Sequence, residues 1–155
     1  MRTLLDTTYL LPAIGVSVKG MPNDAIEKLI SRGEEILISE ISLFELSAKG
    51  AKYVLEGALS PDRLTKGIVA LSNDDSITKV RVYDSKTLRL AFRFRELLGD
   101  FIDCLILSSA ALECDTLVTE DDEIHGLAGQ NQFEGIMASA GSACKIRRLA
   151  ETLLP

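Results

Sequence analysis

The chain has 155 residues, a formal net charge of −6, and a composition that is 46% apolar and 26% charged. That suits one compact domain with a substantial core and excludes a disordered or fibrous protein. The acidic balance also counts against a protein that simply coats nucleic acid, because neutralising phosphates takes a basic face.

In chain order, the opening MRTLLDTTYLLPAIGVSVKG could pass for a leader, but Asp6 interrupts its apolar stretch and no small-residue cleavage pattern follows. It reads as a strand, Arg2–Asp6, and a helical region broken near Gly20-Met21-Pro22. Asn23 or Asp24 then caps a helix over DAIEKLISRG, which Gly33 ends. Ile36–Ser39 is the second strand. A helix from about Ser42 to Glu56 follows, in which Phe44, Ala48, Ala51 and Leu55 recur at the spacing of a buried face. Ser60-Pro61 opens another, to about Ser72, with the proline suited to a first turn.

Thr78–Tyr83 alternates as a strand does. Ser85–Leu98 is an amphipathic helix with Leu88, Ala91, Phe92 and Leu98 inward and Arg89, Arg93 and Glu96 outward. Asp103–Cys114, DCLILSSAALEC, is apolar on nearly every side and predicts a buried helix. Thr116–Thr119 is a short strand running into the acidic cluster Glu120–Glu123. Beyond residue 126 small residues blur the pattern, and Lys145–Leu154 is expected to be a final helix. With no repeat and no linker, residues 1–155 form a single domain. Strands alternating with helices predict a parallel sheet covered on both faces, with its ligand site at the carboxyl ends of the strands.

Cys104, Cys114 and Cys144 are odd in number and lack C-x-x-C spacing, so neither a disulfide framework nor a zinc knuckle is indicated. Buried thiols in a reducing cytoplasm are the expectation. A single histidine, His125, excludes metal sites that need two. No apolar run reaches the roughly 18–20 residues of a membrane span.

Four carboxylates carry the chemistry. Asp6 and Asp121 each follow a strand, and Glu45 and Asp103 each sit in the first turn of a helix, positions that a parallel sheet brings to one edge. Each has a bland alternative: Asp6 and Asp103 as helix caps, Glu45 in an S-L-F-E capping box or paired with Lys49, and Asp121 in a solvated charge run. Asp103 is hardest to dismiss, because it opens a helix with almost no polar face. Like charges about 4 Å apart repel by roughly 4 kcal/mol at an intermediate dielectric. A divalent cation removes that repulsion and accounts for the set. All-oxygen ligands select Mg²⁺ or Mn²⁺, ions suited to phosphodiester hydrolysis.

These segments also resemble a known family. LLDTTYLLPA is similar to the opening D-T-N motif of PIN-domain nucleases, and ISEISLFEL to their second motif, with Glu45 rather than Glu40 as its glutamate. DCLILSSAALECDTLVTEDDEI resembles their D-x-x-I-x-x-x-A…L-x-T-x-D segment and points to Asp103, Thr119 and Asp121. The resemblance spans residue 1 to about 125. It implies a three-layer α/β/α domain around a parallel sheet of about 4–5 strands, Mg²⁺- or Mn²⁺-dependent endoribonuclease activity, and frequent homodimers. Many such proteins are VapC-type toxins, held inactive by a small antitoxin whose basic side chain enters the acidic pocket.

On that reading Asp6, Asp103 and Asp121 hold metal, Glu45 orients or deprotonates the attacking water, and Thr8 and Thr119 support them. Thr8 departs from the asparagine often found there; its hydroxyl can still orient a metal-bound water. Asp100 and Asp122 shadow Asp103 and Asp121, and the D-x-x-I spacing favours Asp103. Arg89, Arg93, Lys145, Arg147 and Arg148 are candidates to steer RNA. Two rivals remain. One is a PIN-like binding or RNA-processing module with little catalysis. The other is a receiver-type phosphoacceptor domain, which wants an acidic pair where Asp6 is followed by Thr7 and Thr8.

Overall fold

The structure, a computed structural model, describes residues 1–153. Five short strands are β1 (Arg2–Leu5), β2 (Glu35–Ser39), β3 (Ile77–Val80), β4 (Thr116–Val118) and β5 (Lys145–Arg147). All pairings are parallel, in the order β3-β2-β1-β4-β5. The chain moves outward from β1 through β2 to β3, then crosses to the other side of β1 for β4 and β5. Strand order therefore reverses between β1 and β4, and the crevice beyond their carboxyl ends is where such sheets take ligands. Asp6 follows β1 and Thr119–Asp121 follow β4, so both flank that crevice.

Alternation along the strands makes two cores. Leu4, Leu37 and Leu117 face one, packed under α4 (Ser85–Phe94), α5 (Phe101–Glu113), α6 (Asp122–His125) and α7 (Asn131–Ser139). Leu5, Ile36, Ile38 and Val118 face the other. That side is covered by the 3-10 segment Thr7–Ile14, α1 (Ala25–Ser31), α2 (Glu40–Leu55), α3 (Pro61–Asn73) and α8 (Leu149–Leu153). The result is the expected three-layer α/β/α domain. α5 is buried along Cys104–Ala111, which is why its sequence shows no polar face. Close approach elsewhere depends on glycine: a Cβ on Gly67 would lie 2.4 Å from the Ala13 carbonyl oxygen, so α3 can press against the 3-10 segment only without one.

Several expectations need correction. On α2 the buried residues are Ser42, Leu46 and Gly50. Phe44 and Leu55 are 63% and 88% exposed, and Ala48 and Ala51 are exposed with them. An apolar stripe has the same spacing whether it faces a core or a partner, and here Ser42, Leu46 and Gly50, not the stripe, face the packed side. The helix starts at Glu40, so Ser42 is no cap. Phe92 is 60% exposed and stacks on Phe101, with centroids 5.7 Å apart and planes 10° from parallel. Leu88 is only half-buried, and α4 ends at Phe94. Lys145–Arg147 is not helical but the edge strand β5, whose Ile146 packs inward. The last helix starts at Leu149, and Leu154, the expected end, lies outside the described residues.

Candidate active site

Asp6 leaves β1 in an extended conformation and caps the 3-10 segment, its Oδ1 accepting from the Thr7 backbone N–H at 2.7 Å. Its Oδ2 accepts from the Thr119 hydroxyl at 2.7 Å. The same Thr119 oxygen accepts from the Asp121 N–H at 3.1 Å. One hydroxyl thus ties the end of β1 to the turn after β4. Asp121 also caps α6, accepting from the Ile124 N–H at 2.9 Å, so its backbone and one oxygen are fixed.

Glu45 projects from the second turn of α2. The Thr7 hydroxyl donates to its Oε2, and the Lys49 Nζ lies 3.2 Å from its Oε1. Asp103 sits in the first turn of α5, whose N-cap is Asp100, accepting from the Ile102 N–H at 2.8 Å. Asp103 is therefore free of capping duty. Together Asp6, Thr8, Glu45, Lys49, Asp100, Asp103, Glu120 and Asp121 line one cavity of about 450 Å³.

The electrostatics follow from that crowding. Burial pushes the Asp103 carboxyl up to about 7, with the charges of Asp100, Asp6, Asp121 and Glu45 adding in that order. Burial also raises Asp6; the Thr119 and Thr7 hydrogen bonds and Lys49 oppose the rise, and Glu45 adds to it. Glu120 goes the other way. Burial would raise it, but bonds from the Tyr9 hydroxyl, the Leu149 N–H and Arg148 outweigh burial and lower it.

Among the described residues no three acidic, histidine or cysteine side chains converge tightly enough to chelate an ion as they stand. The carboxylates ring a cavity instead of closing into a cage. Such spacing suits Mg²⁺, which keeps several waters and takes only one or two carboxylates directly. The all-oxygen donor set, and a carboxyl at Asp103 raised by burial and then by its acidic neighbours, fit a hard divalent cation.

The structure gathers Asp6, Glu45, Asp103, Asp121, Thr8 and Thr119 at this crevice. The basic candidates lie apart. Arg89 and Arg93 are exposed on α4, where Arg93 donates to the Ser139 hydroxyl. Lys145 and Arg147 are in β5. Arg148 is engaged, its guanidinium 3.2 Å from Glu120 Oε2 and 2.6 Å from Asp122 Oδ1. Sequence reasoning passed over three residues here, Thr7, Lys49 as a lining group and Glu120, while Asp100, weighed as a rival to Asp103, caps α5 and lines the cavity beside it. Thr7 was legible in principle, because it immediately follows Asp6 and buried hydroxyls seek partners.

The profile of the PIN domain family matches residues 3–130. With a five-stranded parallel sheet, helices on both faces and acidic side chains at the strand ends, the chain belongs to the PIN domain family. Several solved structures share its fold. A chain of VapBC2 from Rickettsia felis bound to a fragment of promoter DNA superposes with a TM-score of 0.62 at 18% identity, covering 96% of this chain and 98% of that one. A toxin–antitoxin complex from Klebsiella pneumoniae gives 0.56 at 19% identity, covering 84% and 93%. VapBC-5 from Mycobacterium tuberculosis gives 0.53 at 18% identity, covering 95% and 98%. No curated protein matches the chain.

Proposed function

We propose that this PIN domain is a metal-dependent endoribonuclease, the toxin of a type II toxin–antitoxin pair. The observation that carries the reading is the gathering of Asp6, Glu45, Asp103 and Asp121 around one crevice, at a cost visible in the raised carboxyl of Asp103. PIN domains are typically nucleases, which agrees with it. Asp6, Asp103 and Asp121 would hold Mg²⁺ or Mn²⁺, directly or through water. Bound there, the ion would polarise a phosphate oxygen and lower the pKa of a coordinated water.

The protein's own contribution is placement. Thr119 holds Asp6 by Oδ2, and Thr7 holds Glu45 by Oε2, leaving Glu45 Oε1 to Lys49 and to the water it would orient or deprotonate. Thr8 would support the water shell from the cavity wall. Exposed Arg89 and Arg93, with Lys145 and Arg147, would guide RNA toward the crevice. Arg148 would act locally by offsetting Glu120 and Asp122, which flank Asp121.

The test is cleavage of labelled single-stranded RNA over a titration of Mg²⁺ and Mn²⁺. We expect cleavage that needs the ion, stops with chelator and is absent in Asp6→Asn at every ion concentration. Cleavage by Asp6→Asn equal to that of the unaltered chain would overturn the assignment.

The fold neighbours are toxin–antitoxin complexes, and a small antitoxin is the partner proposed here too, with a basic side chain entering the anionic crevice. A second copy of the chain is proposed for the exposed stripe on α2. Phe44 and Leu55, like Ala48 and Ala51, are spaced symmetrically about the Lys49–Gly50 peptide. An antiparallel contact about a two-fold axis would set Phe44 against the copy's Leu55, with the two alanines letting the helices close up. Light scattering on a sizing column is expected to give a dimer, and Leu55→Glu a monomer with the same circular dichroism. A dimer that survives Leu55→Glu would mean that the copies meet elsewhere. Three free cysteines suit the reducing cytoplasm proposed for it. No helix among the described residues is long and apolar enough to cross a membrane.

A further inference from the structure

We propose that Lys49 is the phosphate-binding cation of this site, resting on Glu45 before substrate enters and turning to the phosphodiester that is cut. The inference rests on the nuclease reading above. Three observations carry it.

First, Lys49 is the one cation among the residues that line the cavity, where it stands with six carboxylates. Arg148 pairs with Glu120 from outside that lining, so five carboxylates are left facing a single ammonium. RNA brings further negative charge to this wall. Carboxylates that ligate metal consume its charge, whereas an ammonium at the mouth keeps charge to offer a non-bridging phosphate oxygen.

Second, Glu45 does not depend on Lys49 for its position. Its other oxygen already accepts from Thr7, whose hydroxyl is buried and fixed. An ammonium has three donors, and Glu45 takes one. Lys49 keeps two for a ligand.

Third, the Lys49 side chain is 44% exposed where that of Glu45 is only 18% exposed, so it is the more open to solvent of the pair. An incoming strand would meet it first. A four-carbon stem lets it swing without moving α2. An ordinary i,i+4 helix pair would share the 3.2 Å distance but would have no part in the cavity wall and no effect on RNA.

Lys49→Gln and Lys49→Arg in the full chain separate these. Cleavage of single-stranded RNA is measured with Mn²⁺, RNA affinity with Ca²⁺ across a salt series, and Mn²⁺ affinity by calorimetry without RNA. Lys49→Gln should lose about 10–100-fold in kcat/KM, and Lys49→Arg should recover most of it. The dependence of log affinity on log salt should flatten by about 0.7 for the one phosphate contact removed. Mn²⁺ should bind Lys49→Gln at least as tightly as the unaltered protein, because a competing positive charge has gone. An unchanged salt slope with unchanged kcat/KM would make Lys49 a surface pair. A drop in kcat/KM with an unchanged slope and weakened Mn²⁺ binding would make it a prop for Glu45. Either result overturns the proposal while leaving the nuclease standing. If the unaltered chain cleaves no RNA with either ion, both readings fall.

Discussion

Asp103→Asn should do two opposite things: abolish RNA cleavage and stabilise the metal-free protein. The activity loss should be about 10³-fold or more, since losing several kcal/mol of transition-state charge stabilisation costs a decade for every 1.36 kcal/mol. The gain in stability follows from the carboxyl's surroundings. Burial and four neighbouring carboxylates oppose its charge, and the amide that replaces it carries none. The cap of α5 is unaffected, because Asp100 and not Asp103 accepts from the Ile102 N–H. Melting in chelator should therefore rise, by roughly 2–4 °C for each kcal/mol relieved in a domain of this size. A residue kept for structure behaves otherwise: its removal lowers both stability and activity. An Asp103→Asn protein that melts below the unaltered chain in chelator would return Asp103 to a structural role. One that cleaves RNA at the original rate would remove it from the site.

Much of this architecture could be read from residue order, and the exceptions have physical causes. Alternation of strand and helix patterns specified the parallel sheet. The switch in strand order between β1 and β4 then explains why carboxylates more than a hundred residues apart share a crevice. The buried helix was legible because DCLILSSAALEC has no polar side to expose. The direction of α2 was not. Its apolar stripe is more regular than its buried face of Ser42, Leu46 and Gly50, and periodicity cannot tell a core from an unpartnered surface. Edge strand β5 was missed because its three residues carry a single apolar side chain, Ile146, where the equally short β4 carries two. At the site, the Asp residues stand where turns end strands and helices begin, so position alone suggested them. Thr7 and Lys49 were harder: their meaning depends on what the chain folds against them. The exposed state of Arg89 and the paired state of Arg148 look identical in one dimension.

The largest effect on stability should come from metal and pH together. Without metal, the chain should become less stable as pH rises from about 4 to above 7. In the unfolded chain Asp103 loses its proton near the ordinary value of 3.8, whereas in the fold it keeps the proton to about 7. Between those values the folded state binds the extra proton, so raising pH favours unfolding. Asp6 is shifted the same way and adds to the slope. A separate acid limb lies lower: Asp84, Asp74 and Glu120 are held below their ordinary values, and their stabilisation is lost only as pH falls through those lowered values. Mg²⁺ or Mn²⁺ held as proposed would compete with the proton on Asp103, so its stabilising effect should grow with pH. At an ion concentration about 100-fold above the dissociation constant the gain is about 2.7 kcal/mol. That corresponds to a rise in Tm of roughly 5–10 °C at pH 8, shrinking toward nothing at pH 5. Thermal melts in chelator and in Mn²⁺ across this range measure both slopes. A metal-induced shift that is the same at pH 5 and pH 8 would mean that the ion binds somewhere other than Asp103. A metal-free protein that gains stability from pH 5 to pH 8 would mean that burial and crowding do not disfavour the charge of these carboxylates. That cost is the physical ground for the proposed nuclease, because a site that folds at an electrostatic cost without an ion is the kind of site an ion completes.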